Sequence, residues 1–334
     1  MMRKILNNQN GVALIVVLWV TVLLTVMVSG FIAMIRTEAQ GVSNYKEKTQ
    51  AYYLARSGVN LAIGKLLEDL YAPPTEEDMV ERWKWDGRPY KISFGAGNIE
   101  VRVTDEGGKV DVNKAARTEL VRVLLALGVE GSEQDTIVAS ILDWKDKNNF
   151  HHLNGAEDDY YMALPEPYTS KNGPLDTVDE LMWIKGVTKE IFYGDDYRSF
   201  EEQKESDDTQ KIGLKDAFTV FSGSVRVNIN TAPLEVLISL PGMDEETAMM
   251  IIDAREEKDI QNMGDFARAG GELAPTISKY ITFTSPKVFT VEAAGWLDES
   301  PASHAIKAVV KINGKDEYKI LYWKDQDRSR RRTI

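Results

Sequence analysis

Val12-Ala-Leu-Ile-Val-Val-Leu-Trp-Val-Thr-Val-Leu-Leu-Thr-Val-Met-Val-Ser-Gly-Phe-Ile-Ala-Met-Ile35 is a run of 24 residues without a charge. At about 1.5 Å per helical residue it is long enough to cross a hydrocarbon core of about 30 Å. A secretory signal has a shorter apolar region, of about 7–15 residues, closed by a small-x-small cleavage site. This run is longer and lacks that site, and its uninterrupted apolar character marks a membrane span rather than a core helix. Arg3 and Lys4 lie before it, and Arg36 and Glu38 after it. The excess of positive charge on the leading side favours an N-terminus in the cytoplasm.

Beyond the span, apolar residues continue at helical spacing through Tyr45, Tyr52, Leu54, Ala55, Val59, Ala62, Ile63, Leu66, Leu67 and Leu70, until Pro73 and Pro74 stop the helix. The pattern predicts one helix from about Val12 to about Leu70, roughly 90 Å long. Its first half suits lipid. Its second half carries an apolar face in need of a partner.

The whole chain has 334 residues, 40 Lys and Arg against 52 Asp and Glu, a net charge of −12 and no Cys. Zero Cys excludes disulfides, thiolate zinc sites, iron–sulfur clusters and a thiol nucleophile. The acidic balance argues against a general nucleic-acid binder, whose affinity comes largely from Lys and Arg on phosphates. No G-x-S-x-G, Walker loop or H-E-x-x-H is present, His304 is isolated, and no enzyme activity is expected.

Past the helix, strands are expected at Arg88–Phe94, Ile99–Thr104 and Lys109–Asn113, read as a three-stranded meander, and again from Lys287 to Trp323 with Asn313-Gly314 as a hairpin turn. Helices fall between them, at Thr118–Leu127, Glu133–Lys145, Val178–Ile184, Pro233–Ser239 and Glu245–Glu257, with short strand signals at Phe218–Val220 and Val225–Ile229. The reading is an α+β fold: a long N-terminal helix, an antiparallel sheet and a large, mostly α-helical domain inserted in the head. The expected division is residues 1–11 leader, 12–35 transmembrane helix, 36–70 its amphipathic continuation, 71–113 and 282–326 head, 114–281 insertion and 327–334 basic tail. The polar run Glu201–Gln210 reads as an exposed loop.

A weak internal repeat lies in the insertion. Val110-Asp-Val-Asn-Lys-Ala115 and its downstream Leu127-Gly-Val129 and Ile141-Leu-Asp143 parallel Val227-Asn-Ile-Asn-Thr-Ala232, Pro241-Gly-Met243 and Ile251-Ile-Asp253. The second copy resembles a helix-hairpin-helix unit, which in its DNA-binding form offers backbone N–H groups to phosphate. Here Asp244, Glu245 and Glu246 crowd the hairpin, and that use is disfavoured. From Asp143 to Asp159 oxygen donors are dense: Asp143, Asp146, Asn148, Asn149, Asn154, Glu157, Asp158 and Asp159. Ca2+ takes about 6–8 oxygens. A hard-cation site and a solvated acidic loop fit this composition equally, and zinc through His151 and His152 is disfavoured without Cys or H-E-x-x-H.

The short basic leader ending in Gly11 resembles a pilin-type leader, in which a prepilin peptidase cuts after the Gly and methylates the new terminus, here Val12. Such proteins usually carry Glu at the fifth position after the cut, where this chain has Val16. A carboxylate in lipid is costly unless paired. In the pilin family it is held to pair with the terminus of the preceding subunit, so Val16 suits a first-assembled subunit.

Together with Ala51-Tyr-Tyr-Leu-Ala-Arg-Ser-Gly-Val-Asn60, Gly155-Ala-Glu-Asp-Asp-Tyr-Tyr161, Asn172-Gly-Pro-Leu175, Val178-Asp-Glu-Leu181 and Val227-Asn-Ile-Asn-Thr-Ala-Pro233, these features resemble the K-type minor pseudopilins of type II secretion. The resemblance implies a pilin fold with an inserted helical domain and a place at the tip of a pseudopilus, initiating or capping its assembly for export of folded proteins. It implies contacts with I- and J-type minor pseudopilins, other pseudopilins, the inner-membrane assembly platform and prepilin peptidase. It also implies single-pass insertion in the inner membrane with a periplasmic head, and Ca2+ in the insertion. The loop with Glu157, Asp158 and Asp159 is the matching position. Asp143, Asp146, Asp176 and Asp179 follow by proximity in sequence. The alternatives are a type IV pilus or competence minor pilin touching DNA through the helix-hairpin-helix unit, and a membrane-anchored enzyme.

Overall fold

The computed structural model describes residues 9–71, 82–95, 97–194, 212–270, 275–298 and 300–328. The residues of the leader before Gln9, Pro73 and Pro74, the polar run Glu201–Gln210 and the basic tail beyond Arg328 lie outside the described residues.

Helix α1 runs Gln9–Tyr71, 63 residues without a break. From Val12 to Ile35 its large side chains are exposed, and the helix is long and apolar enough to cross a membrane. Higher up, Ala51, Ala55, Val59, Ala62, Ile63 and Leu66 are buried. Their spacings of four, three and one residues form one helical stripe.

That stripe lies on a five-stranded antiparallel sheet of order β1-β2-β7-β8-β9. Strands β1 (Asp86–Phe94) and β2 (Gly97–Asp105) form a hairpin. The chain leaves the sheet, builds a helical region, and returns as β7 (Val288–Leu297), β8 (Ser303–Gly314) and β9 (Glu317–Arg328). β7 takes the free edge of β2, with Val101 opposite Ala293 and Val103 opposite Val291. Ile99, Val101, Val103, Phe289, Val291, Ala293, Ile306 and Ala308 alternate along their strands and close a core over α1.

Helix and sheet backbones come into close contact at Gly295. A Cβ there would lie 2.5 Å from the Ala55 nitrogen and 2.6 Å from the Ala51 carbonyl oxygen. Both are backbone atoms of α1, which no rotamer change can move aside.

The helical region contains β3 (Val110–Asp111), α2 (Arg117–Ala126), α3 (Gly131–Lys145), α4 (Asp158–Met162), a 3-10 turn at Val178–Trp183, α5 (Lys189–Tyr193), α6 (Leu214–Ala217), β4 (Phe218–Thr219), β5 (Val227–Asn228), α7 (Leu234–Ile238), α8 (Glu245–Glu257), α9 (Met263–Gly270) and β6 (Ile281–Thr282). It has its own core, including Leu120, Leu124, Ile137, Ile141, Phe218, Leu237, Ile251 and Phe266.

Three expectations are corrected. The stretch Lys109–Asn113 is not a third strand of a meander: only Val110–Asp111 is extended, and it pairs in parallel with β4. The edge of β2 is taken by β7, and the buried Val112 belongs to the helical core. The last hairpin turns at Lys315-Asp316, because Gly314 is still paired with Glu317 after an irregularity at Ile312. The apolar stripe of the upper helix does not wait for partner helices. The chain's own sheet covers it, and Val42, Tyr45, Tyr53 and Leu61 are what α1 leaves exposed above the span.

Gly295→Ala should therefore drive α1 off the sheet. Overpacking of this kind costs about 1–3 kcal/mol. Urea denaturation of the full chain in detergent should show the loss, whereas Gly64→Ala, on an open part of α1, should not. Equal stability of the Gly295→Ala chain would contradict the contact.

Candidate functional site

The helical region is built twice from one local design. In the first copy the Asp111 carboxylate accepts the Asn113 backbone N–H at 3.0 Å. The Asn113 amide donates to the Leu175 carbonyl at 2.9 Å and accepts the Leu175 N–H at 2.8 Å. Lys145, closing α3, donates to the carbonyls of Val112 and Ala115.

In the second copy Asn228 accepts from the Asn230 N–H at 3.2 Å, Asn230 exchanges bonds of 2.9 and 2.8 Å with Ile260, and Arg255 on α8 donates to the carbonyls of Ile229 and Ala232. Each copy turns between its two helices at a glycine with positive φ, Gly128 at 80° and Gly242 at 79°, a conformation that costs glycine nothing. The V-x-[VI]-N-x-A repeat is thus a backbone lock. Asn closes a loop, and a cation at the end of the second helix caps carbonyls that would otherwise be buried unpaired.

The copies differ in one place. Between the cation and the residue that its Asn holds, the second copy has four residues, 256–259, and the first has twenty-nine, 146–174. This insertion folds over the end of α3. Asp253 is exposed at the end of α8, while its counterpart Asp143 is fully buried.

Within the insertion, Gly155 packs so closely on Asp143 that a Cβ there would sit 1.8 Å from Asp143 Oδ2. The His152 backbone N–H donates to Asp143 Oδ1 at 3.0 Å, and His152 Nδ1 also contacts that oxygen. Glu157 is 1% exposed; its Oε2 accepts the Ser170 hydroxyl at 3.2 Å. Asp158 Oδ1 accepts the Ser170 N–H at 2.7 Å and its hydroxyl at 2.8 Å. Asn172, with φ of 49°, donates to Asn149 Oδ1 at 2.6 Å. Lys185 holds the loop from the other side, donating to the Gly155 carbonyl at 3.0 Å with its ammonium 4.8 Å from the Tyr160 ring centre.

Two carboxylate oxygens in this cluster, Asp143 Oδ2 and Glu157 Oε1, are buried and meet no donor. Burial, and then the nearby charge of Asp143, push the Glu157 carboxyl above its ordinary value. An orphaned buried carboxylate oxygen costs free energy unless a cation or donor meets it. One ligand atom each of Asp143, Asp146 and His152 lies within 4.8 Å of the others. Beside them opens a cleft of about 290 Å³ lined by Asn113, Leu142, Lys145, Asp146, His152 and Pro174. Carboxylate and hydroxyl oxygens form a donor set suited to a hard cation such as Ca2+. The residues fit one.

Of the acids singled out in the sequence, Asp143, Asp146, Glu157 and Asp158 are thus brought together. Asp159 faces His151 at 3.2 Å on the exposed side of the loop. Asp176 pairs with Lys171 at 2.7 Å, and Asp179 reaches away to Lys324 of β9 at 2.8 Å. Ser170 had no signal of its own in the sequence, whereas Asn172 stood in a motif of the resemblance and Asn113 in the internal repeat. The repeated Asn113 and Asn230 were the trace that could have found the last. Gly11 and Val12 lie in the first turns of α1, and Val16 is exposed within the apolar half.

At the second hairpin Asp244 accepts the Thr247 N–H at 2.8 Å as the N-cap of α8. A carboxylate already occupies the place where a helix-hairpin-helix unit would receive phosphate.

Comparison with known proteins bears on most of the chain. The family described as type II secretion system (T2SS), protein K matches residues 98–193 and, in a second segment, 227–283. The type II secretion system protein K of Pseudomonas aeruginosa is 28% identical over 277 residues, 78% of this chain and 77% of that protein. The protein of the same name from Klebsiella pneumoniae is 27% identical over 200 residues, 56% of this chain and 60% of that protein. Among solved structures, the GspK-GspI-GspJ complex from enterotoxigenic Escherichia coli contains a chain similar in fold, with a TM-score of 0.61 at 17% identity, covering 88% of this chain and 100% of that one.

The orphaned carboxylates make a pH prediction with a definite sign. Because the Glu157 carboxyl is raised in the fold, the cation-free chain loses stability as pH climbs through that native value. Glu157→Gln should therefore melt higher than the parent in EDTA at pH 7, by roughly 2–4 °C per kcal/mol, with no advantage at pH 4. With Ca2+ the order should reverse at pH 7. A variant that melts lower than the parent in EDTA at both pH values would contradict this account.

Proposed function

We propose that this chain belongs to the type II secretion system protein K family and is the minor pseudopilin at the tip of the secretion pseudopilus, where it initiates or caps the filament. The observation that carries this is the match of the family to residues 98–193 and 227–283. Those segments include both copies of the duplicated helical region, the part of the chain that a bare pilin helix and sheet do not require.

The mechanism is mechanical. Helix α1 anchors the subunit by its apolar half, a single membrane span. Arg3 and Lys4 support an orientation with the N-terminus in the cytoplasm and the head in the periplasm, on the inner membrane. Prepilin peptidase would cut between Gly11 and Val12 and methylate Val12. Val16, in place of a carboxylate, removes the need for a preceding subunit's amino terminus. I- and J-type minor pseudopilins are the expected neighbours, by analogy with the solved three-protein complex. Other pseudopilins extend the filament from the assembly platform. The bulky head would prevent another subunit from docking above it, so the growing filament would push folded cargo with this chain foremost.

Ca2+ is proposed as a structural ion of the insertion. Asp143, Asp146 and Glu157 would hold it, with Asp158, Ser170 and Asn172 supporting the loop; the orphaned oxygens of Asp143 and Glu157 support this reading. The ion would neutralise charge that the insertion buries and so order residues 146–174.

The absence of Cys makes the tip assignment directly testable, because one engineered thiol is unambiguous. Ile32→Cys should crosslink in cells to single copies of other pseudopilins carrying a matching thiol. It should give no homodimer, and a disulfide-linked homodimer of this chain would overturn the tip role.

A further inference from the structure

We infer that Asn113 is a positioning residue of the carboxylate cluster: it fixes the far end of the 146–174 insertion and so sets the geometry in which a cation is held. This rests on the calcium reading above and adds a residue outside the acidic loop.

The insertion has two ends. Its beginning is fixed by Lys145, which caps the Val112 and Ala115 carbonyls. Its end is fixed by Asn113, two bonds to the backbone of Leu175. Both anchors grip the same turn, Val112–Ala115, so the twenty-nine residues between them close on one point. A neighbouring bond, from the Gly173 N–H to the Trp144 carbonyl at 3.3 Å, seals the base. From Leu175 it is three residues back to Asn172 and five to Ser170, which binds the carboxylates of Glu157 and Asp158. Asn113 also lines the cleft that Asp146 and His152 line. Freeing Leu175 would let Ser170 and Asn172 drift, and Glu157 with them. Residues that orient ligands from behind typically change metal affinity about 10–100-fold when removed.

The duplicated architecture supplies its own control. Asn230 makes the same two bonds to Ile260, but the loop that it closes has four residues, whose acids Glu256, Glu257 and Asp259 are exposed, with Glu256 paired to Lys84 and Arg88. Loss of either lock should lower the melting temperature. Only loss of the first should weaken cation binding.

The test is calorimetric titration of the full chain in detergent with CaCl2 after EDTA removal. Asn113→Ala should bind Ca2+ about 10–100-fold more weakly than the parent. Asn230→Ala, at a distant and independent site, should bind within about twofold of it. Should Asn113→Ala fail to fold, Asn113→Asp keeps the acceptor for the Leu175 N–H while losing the donated bond, and should still weaken binding by about tenfold. Parental affinity in the folded Asn113 variant would overturn the positioning role alone. Equal losses in the Asn113 and Asn230 variants would also overturn it, in favour of general destabilisation. A parent chain that binds no Ca2+ would overturn the calcium reading and this inference with it.

Discussion

A carboxylate buried in protein must be met by donors, and at the end of β2 two consecutive carboxylates are met completely. Asp105 accepts from the Gly107 N–H, the Ser285 hydroxyl, the Asn228 amide and the Thr231 hydroxyl. Burial pushes its carboxyl up even so. Burial alone would raise the neighbouring Glu106 as well, but the Lys109 ammonium at 2.8 Å, with the hydroxyls of Thr219 and Thr290, holds that carboxyl below its ordinary value. These donors come from β4, β5, β7 and the connections beside them. The polar junction therefore ties the returning half of the sheet and both halves of the helical region to one point. Removing either carboxylate would strand several donors in a dry interior, where an unmade hydrogen bond is costly.

The acidic cluster of the insertion is the counter-case. Asp143 and Glu157 are as deeply buried as Asp105 and Glu106, yet each keeps an oxygen without a donor. The junction is complete within the protein; the cluster leaves two buried oxygens unmet. The duplication explains how such a site can be carried. One copy of the lock holds a short loop that bears on the sheet, with Glu256 meeting Lys84 and Arg88. The other copy, closed by equivalent bonds, accommodates a loop seven times as long because long insertions add little closure entropy.

Much of the fold was legible because it follows from periodicity. Twenty-four uncharged residues and a stripe of spacing three and four specify α1. Alternation specifies β1, β2, β7, β8 and β9. What failed was pairing. Lys109–Asn113 alternates as a strand does, but nothing local says that the edge beside β2 is taken by a strand 180 residues later. The stripe of α1 likewise shows that a partner exists without showing that it lies in the same chain. In the cluster, Asp143, Asp146, Glu157 and Asp158 were visible as crowded acids. Asp176 and Asp179 looked equivalent in composition, and only the placement of Lys171 and Lys324 separates them. Ser170 and Asn113 are single polar residues whose importance comes from the loop that they close.

The neck of α1 carries one more consequence. Between Ile35, where the apolar run ends, and Glu47, where the head first touches the helix, α1 stands uncovered. At 1.5 Å per residue this is a clearance of roughly 18 Å. A neighbouring helix on the sheet-covered face of α1 would slide only until it met the lower rim of the sheet, formed by the β7–β8 connection where Ser300 bonds Glu47. The head thus acts as a mechanical stop. It would set the stagger of a helix packed on that face, and the length of the neck would be the gauge.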